Sequence, residues 1–587
     1  MKNKARLLSA IGVLLASMPA VAHAQLFLDQ GTDALPQGCN GSGCWTNYAR
    51  MTDIDGDGDL DLIGVNNGGF FSNPTPQELV VWTNNGSGVF SDGSAMFGDL
   101  VVPVRQIAVG DVDGDGDVDV YIPGAGNEMD DKLLIQTAPG TFADEAADRF
   151  ATLIAHDAGF VRMGDLDNDG DLDLVVGGGY FDDNGAPATL YFNDGTGNFA
   201  DGGANIPADI DGVNPDDVDL ADVDGDFDLD ILINAHSGPN ALWLNDGTGN
   251  FAEGAVAAFS NSALHYGPVL CDVDNDGDLD MLVDNVGPNY TEQLALNDGN
   301  GVFTDATANI TGNESADDNL LACIDHDGDG DFDIVVGSLS TNERVFTNDG
   351  TGHFTAVASS QNGPTDPTLW MEFGDLNGDD RLDLFTAQGE SQPQDERIYL
   401  GSPEVVADTR PPHLRAQENV TPSSTDPTVL RFAISDNATT DEGPRLTRAF
   451  ILLGDQEIDA TFIGGDLFRA EIPATPETAF KICAVDWAGN AMEGCPGGTG
   501  EGGAAQGGNG AGGSPSTGGN AATGGNAANG GNSASGGGGG GVTDGGDVGE
   551  GGCDCTVPGK TNNRVAGLGV FLAGLFAGLL RRRRRTS

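Results

Sequence analysis

Residues 111–120 read "DVDGDGDVDV", five aspartates in ten positions, with "RQIAV" before them and "YIP" after. Carboxylates held this close repel unless something neutralises them, and a hard, oxygen-preferring cation is the simplest neutraliser. The stretch is not alone. The pattern D-x-[DN]-x-D-G-x-x-D, with small variations, starts at Asp53, Asp111, Asp165, Asp222, Asp272, Asp325 and Asp375, at spacings of 58, 54, 57, 50, 53 and 50 residues. A period in this range marks an array of supersecondary units, and it sets the fold class.

Each copy runs into an apolar, β-branched stretch such as "LDLIGV" (60–65), "LDLVVG" (172–177) or "FDIVVG" (332–337), so the acidic loop joins two strands. A third strand follows ("ELVVWTN", "ATLYFND", "NALWLND", "EQLALND"), then an Asn-Asp-Gly turn and a short strand opened by phenylalanine, as in "NDGTGNF" at 193 and 245. Four antiparallel strands in each of seven units make an all-β chain, a seven-bladed β-propeller over residues 25–403. The seventh unit lacks its phenylalanine strand, whereas "QLFLDQGTDALP" from Gln25 matches "GNFADGGANIP" from Gly197. The N-terminal strand is therefore expected to complete the last blade and remove a sheet edge.

Ca2+ takes six to eight oxygen ligands, and the loop offers them at positions 1, 3, 5, 7 (through its carbonyl) and 9, with glycine at position 6. The candidate ligands are Asp53, Asp55, Asp57, Asp59 and Asp61 in the first loop, and Asp111, Asp113, Asp115, Asp117 and Asp119 in the second. The third has Asp165, Asp167, Asp169, Asp171 and Asp173, the fourth Asp222, Asp224, Asp226, Asp228 and Asp230. The fifth has Asp272, Asp274, Asp276, Asp278 and Asp280, the sixth Asp325, Asp327, Asp329, Asp331 and Asp333. The seventh has Asp375, Asn377, Asp379, Arg381 and Asp383. Position 8 is always apolar and is expected to plug the loop into the core. An EF-hand is excluded, because position 12 holds Gly64, Ile122, Val176, Ile233, Val283, Val336 and Thr386 where that motif needs Glu. Phe227 at position 6 is expected to weaken the fourth site. The seventh, with Asn377, Asp380 and Arg381 at positions 3, 6 and 7, keeps enough carboxylates to bind.

The repeat resembles the FG-GAP/VCBS family, the calcium-loop blades also seen in integrin α-chain propellers. The resemblance covers residues 25–403 and implies a propeller with up to seven Ca2+ ions, used in surface recognition. The ions are expected to be structural staples, since every blade carries one alike.

Both ends of the chain carry export signals. Residues 1–24 read as a signal peptide, with Lys2, Lys4 and Arg6, then "LLSAIGVLLASM", then Ala22-His23-Ala24 with cleavage after Ala24. The apolar part is too short for a transmembrane anchor. Residues 497–552 are almost wholly Gly, Asn, Ala, Ser and Thr, a flexible tether with a mean reach of about 40 Å. Then come "GGCDCTVPGKTNNR", an apolar run from Val565 to Leu580 and five arginines, Arg581 to Arg585. This tail (553–587) resembles the MYXO-CTERM type of C-terminal sorting signal. The resemblance implies processing near Cys553 and display at the cell surface or outer membrane, held by the tail or by a lipid anchor. A permanent tail anchor in the inner membrane is the alternative.

Eight cysteines in an exported chain invite disulfides. Cys39 with Cys44 and Cys483 with Cys495 are the local candidates. Cys271 and Cys323, in neighbouring blades, either bridge near the axis or stay buried thiols. Residues 404–496 abandon the acidic repeat for short alternating strands ending in "DWAGN", which resemble a bacterial immunoglobulin-like or fibronectin-type module. It is expected to act as a spacer, with Trp487 in its core.

A net charge of −66 excludes nucleic acid and anionic membrane surface as partners. No H-E-x-x-H, G-x-S-x-G or phosphate-loop pattern is present, and His326, at a non-ligand position of the sixth loop, is expected to be solvated. Trp82, Tyr191, Trp243, Phe346 and Tyr399 recur at one blade position, which argues for packing and against a carbohydrate stripe. The reading is a non-catalytic, monomeric surface recognition or adhesion protein with an extracellular glycan or protein ligand. Its contact candidates are the insertions 66–77, 124–132 and 178–187. A structural envelope component without a discrete ligand, and a polysaccharide lyase or hydrolase with a site in the propeller funnel, are the alternatives.

Overall fold

In the computed structural model of the chain, the described residues are 25–497 apart from 32–33, 37–43, 68–75, 99, 125–129, 153–158, 178–187, 208–213, 238–239, 256–264, 286–289, 358–366, 390–392 and 439–442. Ala24, Cys39, Cys553, the export signals, nearly all of the 497–552 tether and most of the three insertions lie outside them. Among the described residues the chain is nearly all β, with one helical turn, Ala146–Arg149, and short 3-10 turns. None of their helices is long and apolar enough to cross a membrane.

Seven sheets carry the seven acidic loops, antiparallel except that Ile310–Thr311 adds in parallel to Phe354–Ala356 at the edge of the sixth, and each loop joins the first strand of the repeat to the second. In the first sheet these strands are Thr46–Thr52 and Asp61–Asn66, followed by Val80–Thr83 and Ser91–Asp92. The seventh is assembled from Thr368–Gly374, Asp383–Gln388, Arg397–Gly401 and the N-terminal strand Phe27–Asp29. Phe27 pairs with Gly401 and Asp29 with Tyr399, so the first strand of the chain fills the place of the missing phenylalanine strand.

Alternation along the strands sends apolar side chains to both faces of each sheet, and every neighbouring pair of sheets shares one apolar cluster. Ile63, Val65, Val120 and Ile122 join the first and second sheets. Leu62, Trp82, Leu376 and Phe385 join the seventh back to the first. Trp82, Tyr191, Trp243, Phe346 and Tyr399 are all fully buried, so packing accounts for the aromatic repeat. Cys271 and Cys323 form a disulfide between the fifth and sixth sheets, with Cα atoms 6.6 Å apart, and Cys483 pairs with Cys495. Cys44 is also disulfide-bonded.

Residues 404–497 form two further sheets, one of His413–Gln417, Thr428–Ser435, Leu467–Ile472 and Thr461–Gly464, the other of Gln456–Asp459, Leu446–Leu453 and Lys481–Asp486. Leu430, Phe432, Ile451, Phe468 and Ile482 fill the space between them. The module expected to act as a spacer packs directly on the loop ends of the ring sheets. Ala433, Ile463 and Leu467 enter the cluster shared by the third and fourth sheets. Trp487 is corrected: it packs against the cluster of the seventh and first sheets, outside its own module's core.

Candidate metal centre

The loop geometry follows from its residue types. In the first loop the position-1 carboxylate of Asp53 accepts N–H bonds from Gly56 (2.8 Å), Asp57 (3.1 Å) and Gly58 (3.0 Å), curling the chain around it. Position 4 needs a positive φ in every copy, and the chain supplies Gly or Asn there, as at Gly56 (75°) and Asn168 (65°). Phe227 and Asp380 take a positive φ at position 6, 66° and 61°, where other copies have glycine. Both still donate N–H to their position-1 aspartates, Asp222 and Asp375.

Position 9 anchors the loop to the sheet. Asp119 Oδ2 accepts from Val112 N–H at 3.1 Å and its Oδ1 from Gln136 N–H at 2.8 Å. Asp61, Asp173, Asp230, Asp280, Asp333 and Asp383 make the equivalent pairs. Burial is the main cause that pushes these carboxyls up, to about 7 for Asp61, Asp119 and Asp383, about 8 for Asp230 and Asp280, and about 9 for Asp173. The position-8 residues are buried as expected except Phe332, which is half-buried.

Position 3 carries the evidence of fit. Oδ1 of Asp55, Asp113, Asp167, Asp224, Asp274 and Asp327 is closed to solvent and accepts no hydrogen bond. Six equivalent orphan acceptors, each among further carboxylate oxygens lying within 4.8 Å of one another where such groups are resolved, suit a hard cation with all-oxygen ligands. The seventh loop differs: Asn377 turns its Nδ2 to Asp383, 3.1 Å from Oδ2 and 3.4 Å from Oδ1, so an internal donor occupies that side. His326 is corrected from solvated to buried, 5% exposed, with Nδ1 against Asp333 Oδ2. At position 2 its neighbours in the other loops are apolar and buried, and it shares their place.

Two sets of residues were not read from the sequence. An asparagine at the end of the third strand in five sheets staples neighbouring sheets: Asn84 Nδ2 donates to Leu60 O (3.1 Å) and to Leu376 O of the seventh sheet (2.8 Å). Asn193, Asn245, Asn297 and Asn348 repeat this bond pair. Its recurrence before every Asp-Gly turn was the available signal. The second set comprises arginines of the 404–497 module that reach the loops. Arg431 donates to Asn168 Oδ1 (2.6 Å) and Phe227 O (2.8 Å) and pairs with Asp228. Arg415 donates to Gly277 O at 2.7 Å, and Arg410 to Gly328 O at 3.4 Å. Residues 404–496 hold seven Lys and Arg against eight in the far longer 25–403, a density difference that marks the module as a source of arginines for the loops, although its 15 Asp and Glu leave it acidic too.

A family described as FG-GAP-like repeat matches residues 53–122, 222–283 and 325–386. Each match begins at position 1 of a loop and ends in the second strand of the next sheet, so six of the seven loops fall inside them. No curated protein matches the chain. Among solved structures, BBS1N in complex with ARL6DN, soaked with lead, is 12% identical with a TM-score of 0.40, covering 65% of this chain and 99% of that one. The Pan2 WD40 domain of Neurospora crassa is 9% identical, TM-score 0.37, over 63% and 92%. The V. cholerae biofilm matrix protein Bap1 is 13% identical, TM-score 0.33, over 63% and 90%. The chain thus carries FG-GAP-like repeats in a nearly all-β, propeller-like succession of sheets.

Proposed function

We infer that this is a calcium-stapled, seven-bladed β-propeller with an immunoglobulin-like module, exported and displayed at the cell surface for non-catalytic recognition or adhesion. The observation that carries this reading is the equivalence of the loops. Six present the same orphan oxygen at position 3, which is the mark of a scaffold element, whereas a ligand site singles out one blade. The loop ends are also the covered ends, so contact with a ligand falls to the opposite strand ends, where Asn66, Gly124 and Gly177 lead into the irregular insertions. Bound Ca2+ would supply charge neutralisation in the loops and no chemistry on a ligand.

Glycan and surface-protein arrays probed with the full chain, with Ca2+ and after chelation, test the reading. Retention of a defined glycan or protein class that is lost on chelation is the expected result. Calcium-dependent folding with no retained ligand would favour a structural envelope component, and turnover of uronic-acid polymers would replace the reading with an enzyme.

A further inference from the structure

Where the second module meets the ring, three chain ends bring acids together. Asp408 lies in the segment that follows Arg397–Gly401, Asp436 and Asn437 follow Thr428–Ser435, and Asp486 ends Lys481–Asp486. These ends are pinned to the ring: Asp408 N–H donates to Asp380 O at 2.6 Å, and Asp325 N–H donates to Asn437 O at 2.8 Å. Asn490 ties two of them, its Nδ2 donating to Asp486 Oδ2 at 3.0 Å and to Asp408 O at 3.4 Å. Asn437 Nδ2 donates to Asp408 Oδ2 at 3.2 Å.

There the donors run out. Asp436 is half-buried as a residue, but its Oδ2 and the neighbouring Asn437 Oδ1 are both closed to solvent, and neither accepts a hydrogen bond. Burial pushes the Asp436 carboxyl well above the carboxylate range, and acids push it the same way: Asp408, Asp486 and Asp325. Arg410, two residues from Asp408, is engaged elsewhere: it gives its backbone N–H to Asp408 Oδ1 (3.0 Å) and its guanidinium to Gly328 O. A buried acceptor left without a donor is costly, and more so when it is a carboxylate among carboxylates.

We propose that Asp408, Asp436, Asp486 and the Asn437 side-chain oxygen form a junctional site for a hard divalent cation such as Ca2+, separate from the seven loops, which locks the second module onto the ring. The donor set is oxygen only, with no imidazole or thiolate to favour zinc. Asp436 opens onto the axial cavity between module and ring and onto two clefts, one shared with Arg410 and the other with Trp487, which give the ion access. No loop side chain is needed as a ligand, so the site goes beyond the loop reading.

Trp487 provides a local probe, because it lines the same cleft as Asp408, Asp436 and Asn437. With the full chain loaded with Tb3+, emission excited through tryptophan should contain a component lost in Trp487→Phe, with the count of bound ions unchanged. Asp436→Asn should lose that component and one bound Ca2+ per chain by equilibrium dialysis. Asp375→Asn in the seventh loop and Asp57→Asn in the first, the two loops that line the same cleft, should each keep it. Identical emission from wild type and Trp487→Phe overturns the proposal, as does loss of the component in Asp375→Asn or Asp57→Asn, or an unchanged ion count in Asp436→Asn. The first two comparisons decide the matter even if the Asp436 variant does not fold. Should the loops bind nothing, the wild type would hold a single ion, so failure of the loop reading is separately visible.

Discussion

The two ends of the ring sheets hold buried acids in opposite ways. At the loop ends, the position-1 carboxylate is answered by backbone N–H groups of its own loop and the position-9 carboxylate by N–H groups of the loop and the third strand, while the position-3 Oδ1 is left over in six copies. At the far ends, acids at the strand ends are answered by side chains, often of the next sheet. Glu343 accepts from Thr368 Oγ1 at 2.7 Å, Glu396 pairs with Thr46, and Glu292 and Asp318 share Arg344. Glu292 Oε2 and Asp318 Oδ1 are left unanswered there too, so what sets the loop ends apart is that the same oxygen is left over in six equivalent loops, as a repeated ion site requires. The difference teaches that metal removal acts on this ring from one side.

Chelation should have the largest effect. At ten times its dissociation constant each ion contributes about 1.4 kcal/mol, so six would contribute about 8 kcal/mol. Thermal melting with Ca2+ and after chelation is the measurement, and equal melting temperatures would erase the contrast between the ends. Within a loop the contrast sharpens. Asp119→Ala removes the acceptor of Val112 and Gln136 N–H, and should cost about 4 kcal/mol even without calcium, at about 2 kcal/mol for each stranded donor, and more with calcium because a position-9 ligand is lost as well. Asp55→Ala removes the orphan oxygen, and should cost about 1.4 kcal/mol with calcium present and nothing measurable without it.

The far end makes a pH prediction that calcium does not touch. Burial raises the Glu396 carboxyl to about 7 from 4.5, against the smaller lowering by its Thr46 hydrogen bond. The folded chain then binds this proton more tightly than the unfolded chain does. Its stabilising contribution is complete below pH 4.5 and is lost as pH rises through about 7. Glu396→Gln should flatten that decline, on the order of 3 kcal/mol across the window, in calcium and in chelator alike. Denaturant midpoints measured from pH 4 to 8 provide the check.

These contrasts also mark what could be read from the sequence. The loops, their period and the closing strand were legible because each depends on local rules: turn residues at fixed offsets, alternation of period two, and a missing strand matched by a spare one. Phe227 was recognised as a misfit for the same reason, since a positive φ is a property of one position. The Asn84 staple was read only as part of a turn, because its second partner, Leu376, lies 292 residues away. His326 was placed in water because polarity outweighed the apolar register of position 2. The docking of the 404–497 module escaped because it rests on arginines meeting loop carbonyls across a surface, which no periodicity encodes, although the uneven spread of basic residues hinted at it.

The smallest effect tests the odd loop out. In the seventh loop Asn377 donates to Asp383 where the other six hold an unanswered oxygen, so the amide does internally part of what the cation does elsewhere. Asn377→Asp should therefore change sign with metal. Without calcium it places a carboxylate against Asp383 and removes a hydrogen bond, and should destabilise the chain by about 1 kcal/mol. With calcium it restores the pattern of the other loops, and should raise stability by a similar amount while tightening one site in a calcium titration. Destabilisation of the same size in both conditions would mean that the seventh loop holds no ion and that the amide is its permanent substitute.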